Sequence, residues 1–226
     1  MIRAVIFDMD GVIIDSEPLH LNIEEDIFKN LGISITSEEH NTFIGTTSHY
    51  MWDKIRTNYN LTEGLEELVE LDRNTYLEFL NNALDLQPIK GIRELIIDLH
   101  KNNIKLAVAS SSPLNIIERV LDLFEIRDYF DYIVTGDYVS KSKPEPDIFL
   151  YAAEKLDVDP KECVVIEDSH NGVLAAKKAN MKCIGYKNLN SGNQDLSKAD
   201  LTIDDFNDIN SIFIRELNKK IIDKLI

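Results

Sequence analysis

Cysteine, long apolar runs and basic residues are all scarce in this chain, and each scarcity narrows what it can be. Only two cysteines, Cys163 and Cys183, occur in 226 residues. Both lie in apolar, strand-like segments, which argues against a disulfide framework or thiolate metal cluster and for small packing hydrophobes. No apolar stretch is long enough to cross a bilayer, and Met1-Ile2-Arg3 leads straight into a strand-like run rather than a signal-peptide core. The expectation is a cytoplasmic protein without a membrane partner. Lys and Arg number 24 against 40 Asp and Glu, for a net charge of −16 and a pI near 4.7, which argues against a nucleic-acid or anionic-membrane surface. A small anionic ligand would need positive charge gathered locally. Internal repeats and low-complexity tracts are absent too.

What is present suits a globular enzyme-sized fold. Hydrophobic residues make up 44% and charged residues 28%, and this length can bury one sizeable core and a smaller second one. The apolar run Ala4-Val5-Ile6-Phe7 ends in Asp8-Met9-Asp10-Gly11-Val12. Side chains two apart on extended backbone point the same way, roughly 7 Å apart, so Asp8 and Asp10 would leave a buried strand together while Gly11 frees the chain to turn. Two like charges so placed are relieved by a divalent cation or by a retained proton, either of which serves chemistry. Taken alone, the segment also reads as an Asp-Gly turn closing a strand.

From Asp15 to about Leu86 the pattern is helical. Ser16 is a candidate N-cap for a helix carrying Leu19, Ile23, Ile27 and Leu31, with Gly32 as its stop, and Leu61 to Leu84 repeats leucines at helical spacing. This stretch is too long for a loop, so residues 15–86 read as a helical insertion, and residues 1–14 with 87–226 as one core domain. From Pro88 onward helix and strand alternate: strands at Ile104 to Ala109, Tyr132 to Thr135, Cys163 to Ile166 and Lys182 to Tyr186 follow helices at Ile92 to Lys101, Leu114 to Phe124, Asp147 to Leu156 and Asn171 to Ala179. A terminal helix is expected over about Asn207 to Lys224. The rhythm predicts an α/β fold with a doubly wound parallel sheet, whose ligands bind beyond the carboxyl ends of the strands.

Those ends are polar. Ser110-Ser111-Ser112 follows one strand, Lys141-Ser142-Lys143-Pro144 another, and Glu167-Asp168-Ser169 a third, beside Asp8 and Asp10 from the first. Singly, each is explained by a helix cap, an exposed turn or a solvated strand end. Jointly they are the parts needed to bind magnesium and a phosphoryl group. The four motifs, in order and over nearly the whole chain, resemble the haloacid dehalogenase superfamily in its phosphatase and phosphomutase branch, and Asp15-Ser16-Glu17-Pro18-Leu19-His20 resembles the usual opening of its helical cap.

The resemblance implies a Rossmann-like core, a cap at residues 15–86 and a phosphatase acting through an aspartyl-phosphate. Asp8 would be the nucleophile and Asp10 the general acid and base. Ser110, Lys143 and the Gly11 amide would contact the phosphoryl oxygens. Mg2+ would be held by Asp8, the Asp10 backbone carbonyl, Asp168 and Glu167, the last as ligand or support. In the cap, His20, His49, Trp52 and Lys54 are candidates for touching a small phosphorylated substrate, with surface or core packing as their alternative. The mutases of the β-phosphoglucomutase type carry a Lys just before the cap-loop glycine and an Arg three positions after it. Here Ile44 and Ser48 stand around Gly45, so hydrolysis is favoured over mutase chemistry. A true dehalogenase would not need Asp10, a receiver domain would lack the insertion, and a non-catalytic binder would not need the full residue set. Monomer is the default state.

Overall fold

A computed structural model of the chain describes residues 1–44, 46–83 and 85–217. Strand β1 (Ala4–Phe7) is followed by helices α1 (Glu17–Asn30), α2 (Ser37–Asn41), α3 (Ser48–Tyr59) and α4 (Leu65–Asn82). Then come α5 (Ile92–Lys101), β2 (Lys105–Ser110), α6 (Leu114–Leu123), β3 (Tyr132–Thr135), α7 (Asp147–Leu156), β4 (Cys163–Glu167), α8 (His170–Lys178), β5 (Lys182–Tyr186), β6 (Leu201–Ile203) and α9 (Ser211–Arg215). The six strands form one sheet in the order β3-β2-β1-β4-β5-β6, and every pairing is parallel.

The sheet has period-two side chains, and its two faces have separate cores. Val5 and Phe7 join a core with residues of α5 and α6, such as Ile96 and Ile117, whereas Ala4 and Ile6 join another with residues of α7 and α8, such as Phe149 and Val173. Both faces are therefore covered, as a parallel sheet requires. Cys163 and Cys183 are free and buried in the second core. β1 lies between β2 and β4, so the strand order reverses direction there, and the crevice opens at the carboxyl end of β1.

The helical insertion divides more finely than its leucine spacing predicts. α1 ends before Gly32, which takes a φ of 71°, and Ser16 is its N-cap, although its side chain makes no capping bond. Two further helices, α2 and α3, are capped by Thr36 and Thr47, whose hydroxyls accept from Glu39 N and Tyr50 N. Ile27, Phe28, Trp52, Leu68 and Leu80 are buried together and continuous with the core on the α5 and α6 side. Arg119 of α6 ties the insertion down by donating to the Leu80 carbonyl at 2.9 and 3.2 Å.

The edge strand β6 is not among the strands expected from sequence, being three residues long and followed by Asp204-Asp205. One expectation needs correction. The terminal helix expected from Asn207 is instead a 3-10 turn at Phe206–Asp208 and then α9, because the Asn210 side chain accepts from Phe213 N and starts a new helix. Residues 218–224 of that expectation, and Leu84 of the earlier one, lie outside the described residues. Among the described residues no helix is long and apolar enough to cross a membrane.

Candidate active site

The crevice at the end of β1 is built from four strand ends. After Phe7 the chain turns tightly, with the amides of Val12, Ile13 and Ile14 all donating to the Met9 carbonyl. Asp8 and Asp10 thereby face a cavity of about 520 Å³ whose floor also includes Ser110, Ser112 and Lys143, and whose roof is drawn from α1, α3 and α4.

Lys143 bridges the floor. Its Nζ lies 3.0 Å from Asp8 Oδ1 and 2.8 Å from Glu167 Oε1. Burial alone would lower the ammonium's pKa, but the two carboxylates outweigh it and hold Lys143 above its ordinary range. Glu167 is fully buried. Burial would push its carboxyl up, yet the Lys143 pair and the Ser169 bonds reverse this and keep it below its usual value. Its second oxygen accepts from Ser169 N at 2.8 Å and Ser169 Oγ at 2.9 Å, so both Glu167 oxygens are engaged. Space for that side chain is made by Gly172, where a Cβ would stand 1.6 Å from Glu167 Oε1.

Burial, with Glu167, Asp168 and Asp10 against Lys143, pushes the Asp8 carboxyl well above the carboxylate range. Asp168 is pushed up to about 8 by burial and then by Glu167, against a hydrogen bond from Ser191. Asp8, Glu167 and Asp168 each offer an oxygen within 4.8 Å of the others, and all three are buried. Such a dry, all-oxygen, mutually repelling set fits a hard divalent cation, which would relieve the repulsion.

Asp10 sits to one side of this cluster. Its Oδ2 accepts from Ser112 Oγ at 2.8 Å and Ser110 Oγ at 3.3 Å, while its Oδ1 is buried without a partner among the described residues. Ser110 also accepts from Ser112 N at 3.0 Å. Ser112 is thus a second hydroxyl on Asp10 that sequence reasoning left among helix-cap residues.

The remaining candidates fare differently. His20 and His49 line the cavity, the latter exposed with Glu66 Oε2 at 3.3 Å. Trp52 does not reach it: its ring is fully buried and Nε1 donates to Asp72 Oδ2 at 3.1 Å. Lys54 points outward on α3, its Nζ 5.5 Å from the Tyr50 ring centre. Gly11 also needs correction, since its amide donates to the Ile14 carbonyl at 2.8 Å rather than facing the cavity. What Gly11 supplies is room, because at its φ of 74° a Cβ would stand 1.9 Å from Asp168 Oδ2.

A family model described as haloacid dehalogenase-like hydrolase matches residues 5–186. The chain belongs to that family. This hydrolase is 37% identical over 186 residues to hexitol phosphatase B of Escherichia coli (strain K12), covering 81% of this chain and 82% of that one. It is 31% identical over 220 residues to beta-phosphoglucomutase of Bacillus subtilis (strain 168), covering 95% and 94%. Among solved structures it is similar to beta-phosphoglucomutase from Clostridium difficile, with a TM-score of 0.80 and 32% identity over 98% of this chain and 100% of that one. Family membership makes the chain an enzyme, which sets aside the reading of a non-catalytic binder on the same fold.

Proposed function

We propose that this hydrolase is a magnesium-dependent phosphatase that releases phosphate from a small phosphorylated metabolite, a sugar phosphate in class. The observation that carries the reading is the 3.0 Å contact between Asp8 and Lys143 at the mouth of a buried carboxylate cluster. A carboxylate attacks an anionic phosphoryl group only where its charge is neutralised. Asp8, the Asp10 carbonyl and Asp168 would hold Mg2+, which would supply part of that neutralisation. Lys143, kept charged by Glu167, supplies the rest. An Asp8 oxygen attacks phosphorus while the bond to the leaving oxygen breaks, and protonated Asp10 gives its proton to that oxygen. Asp10 then takes a proton from water, whose oxygen attacks the aspartyl-phosphate and frees Asp8. Ser112 holds Asp10 in place for both transfers, while Ser110, whose bond to Asp10 is the longer of the two at 3.3 Å, turns its one hydroxyl hydrogen to a phosphoryl oxygen when substrate binds.

Residues 15–86 act as a cap over the core of 1–14 and 87–226, excluding water so that the charges beneath act at full strength. Ile44 and Ser48 line the cavity where the mutase pattern has cations, which favours water over a second phosphorylated sugar as the acceptor. The test is phosphate release across a panel of sugar and polyol phosphates with and without Mg2+. Turnover that needs no divalent cation would contradict the reading. Conversion of β-glucose 1-phosphate to glucose 6-phosphate with a bisphosphate primer, at a rate above phosphate release, would make the enzyme a mutase.

A further inference from the structure

The cavity roof contains a constellation that the chemistry at Asp8 does not use. His20 and Glu24 lie one turn apart on α1 and Asp72 lies on α4, and each offers an atom within 4.8 Å of the other two. Glu24 and Asp72 are buried, at 8% and 2% exposure. Each is fixed from behind: His40 Nε2 lies 2.5 Å from Glu24 Oε2, and Trp52 Nε1 donates to Asp72 Oδ2. The other Asp72 oxygen, Oδ1, is buried with no hydrogen-bond partner among the described residues, although the Ser48 hydroxyl also acts on the carboxyl group. Unsatisfied buried carboxylate oxygens are costly, so a structure that retains one beside a ligand cavity is shaped for a donor arriving from outside.

The cluster is also within a ligand's reach of the floor. His20, Glu24 and Asp72 line the same cavity as Asp8, Asp10 and Lys143, and Tyr76, one turn beyond Asp72 on α4, packs its tilted ring against His20 with centroids 4.1 Å apart. The roof's charged residues are Glu17, Glu24 and Asp72 against Arg73 among the described residues, so the far end of the cavity is acidic while the near end presents Lys143. We propose that this roof binds a substrate ammonium group, with His20, Glu24 and Asp72 accepting its three N–H bonds, so that the preferred substrate is a phosphomonoester carrying a primary amine at its far end. The proposal rests on the phosphatase reading and names the substrate class for it. Three acceptors grouped this closely match a tetrahedral ammonium, and a second phosphate there would meet two buried carboxylates with one arginine to offset them.

The test is kcat/KM of the Mg2+-supplemented enzyme for ω-aminoalkyl phosphates of two to six carbons, each against its ω-hydroxyalkyl counterpart. Glucosamine 6-phosphate is compared in the same way with glucose 6-phosphate and N-acetylglucosamine 6-phosphate. The amine is expected to win by about tenfold or more at the best-fitting length, as charge-assisted hydrogen bonds imply. In Asp72→Asn, which still offers Trp52 an acceptor, the ratio should fall to within about threefold of unity, and Glu24→Gln should lower it as well. Equal or better turnover of the hydroxyl series, or an amine preference that survives Asp72→Asn, would overturn the assignment while leaving the phosphatase standing. No phosphate release from either series or from p-nitrophenyl phosphate would remove both readings. A second Mn2+ per chain that binds the wild type and is lost in Asp72→Asn would give the cluster to a metal and overturn the ammonium.

Discussion

Replacing Gly172 by alanine separates two physical arguments that predict opposite signs. Gly172 is the third residue of α8, and helix propensity alone predicts that alanine there stabilises the protein by about 1 kcal/mol. The structure predicts the reverse. The added methyl would stand 1.6 Å from Oε1 and 1.8 Å from Cδ of Glu167, so the side chain must leave the place where it meets Lys143 at 2.8 Å. Glu167 is fully buried, and breaking a buried pair costs about 3–5 kcal/mol. Set against the propensity gain, the net loss is about 2–4 kcal/mol, which for a chain of this length is a fall of roughly 4–16 °C in Tm. Urea and thermal unfolding read the stability, and phosphate release reads the loss of a properly held Lys143. In a Glu167→Ala background the same substitution should instead stabilise by up to about 1 kcal/mol, since the collision is gone and the propensity gain remains. A Gly172→Ala protein that is more stable than wild type and fully active would refute the reasoning.

Removal of divalent cations with EDTA should abolish phosphate release, and Mg2+ at a hundred times its Kd should raise stability by about 2.7 kcal/mol. That gain should vanish in Asp168→Asn, and unfolding curves with and without Mg2+ check both. Asp200 accepts from Lys177, Lys182 and Cys183 N. Burial alone would raise its carboxyl, but these partners hold it below the usual aspartate value. A lowered acid contributes stability that is present above its unfolded pKa and lost as pH falls through the folded one. Asp200→Asn should therefore be less stable than wild type by about 1–2 kcal/mol near pH 7, with the gap closing as pH falls below the ordinary aspartate pKa of about 3.9. A gap that is constant with pH would show that the ion pairs do not act this way.

The sheet was legible because its strands are buried on both faces and read as short apolar runs. β1, β3 and β5 fall where that pattern puts them, and β2 and β4 each run on into one polar residue, Ser110 and Glu167. β6 was not, because three residues with an exposed Thr202 carry too little pattern to separate from a loop. Asp8, Asp10, Ser110, Lys143 and Asp168 were legible through their places at strand ends, which topology then gathers. The roof was harder. His40 with Glu24, and Trp52 with Asp72, are pairs between different helices of the insertion, and helical periodicity says which face a residue occupies, not which helix meets it. For Trp52 the packing alternative holds, since its ring is buried and Asp72 takes its N–H. Gly172 did carry a signal: a glycine in the first turn of a helix, just after an acidic pair, marks a place where another group needs the room of a side chain.

The central claim is that Asp8 itself receives the phosphoryl group, and acid-quenched enzyme tests it most directly. After brief exposure to a turned-over substrate and Mg2+, mass spectrometry of the digested protein should find one phosphoryl group on the peptide containing Asp8, with none on it in Asp8→Asn, which should release no phosphate. Sustained phosphate release by Asp8→Asn, or a phosphoryl group found on another residue instead, would contradict the account.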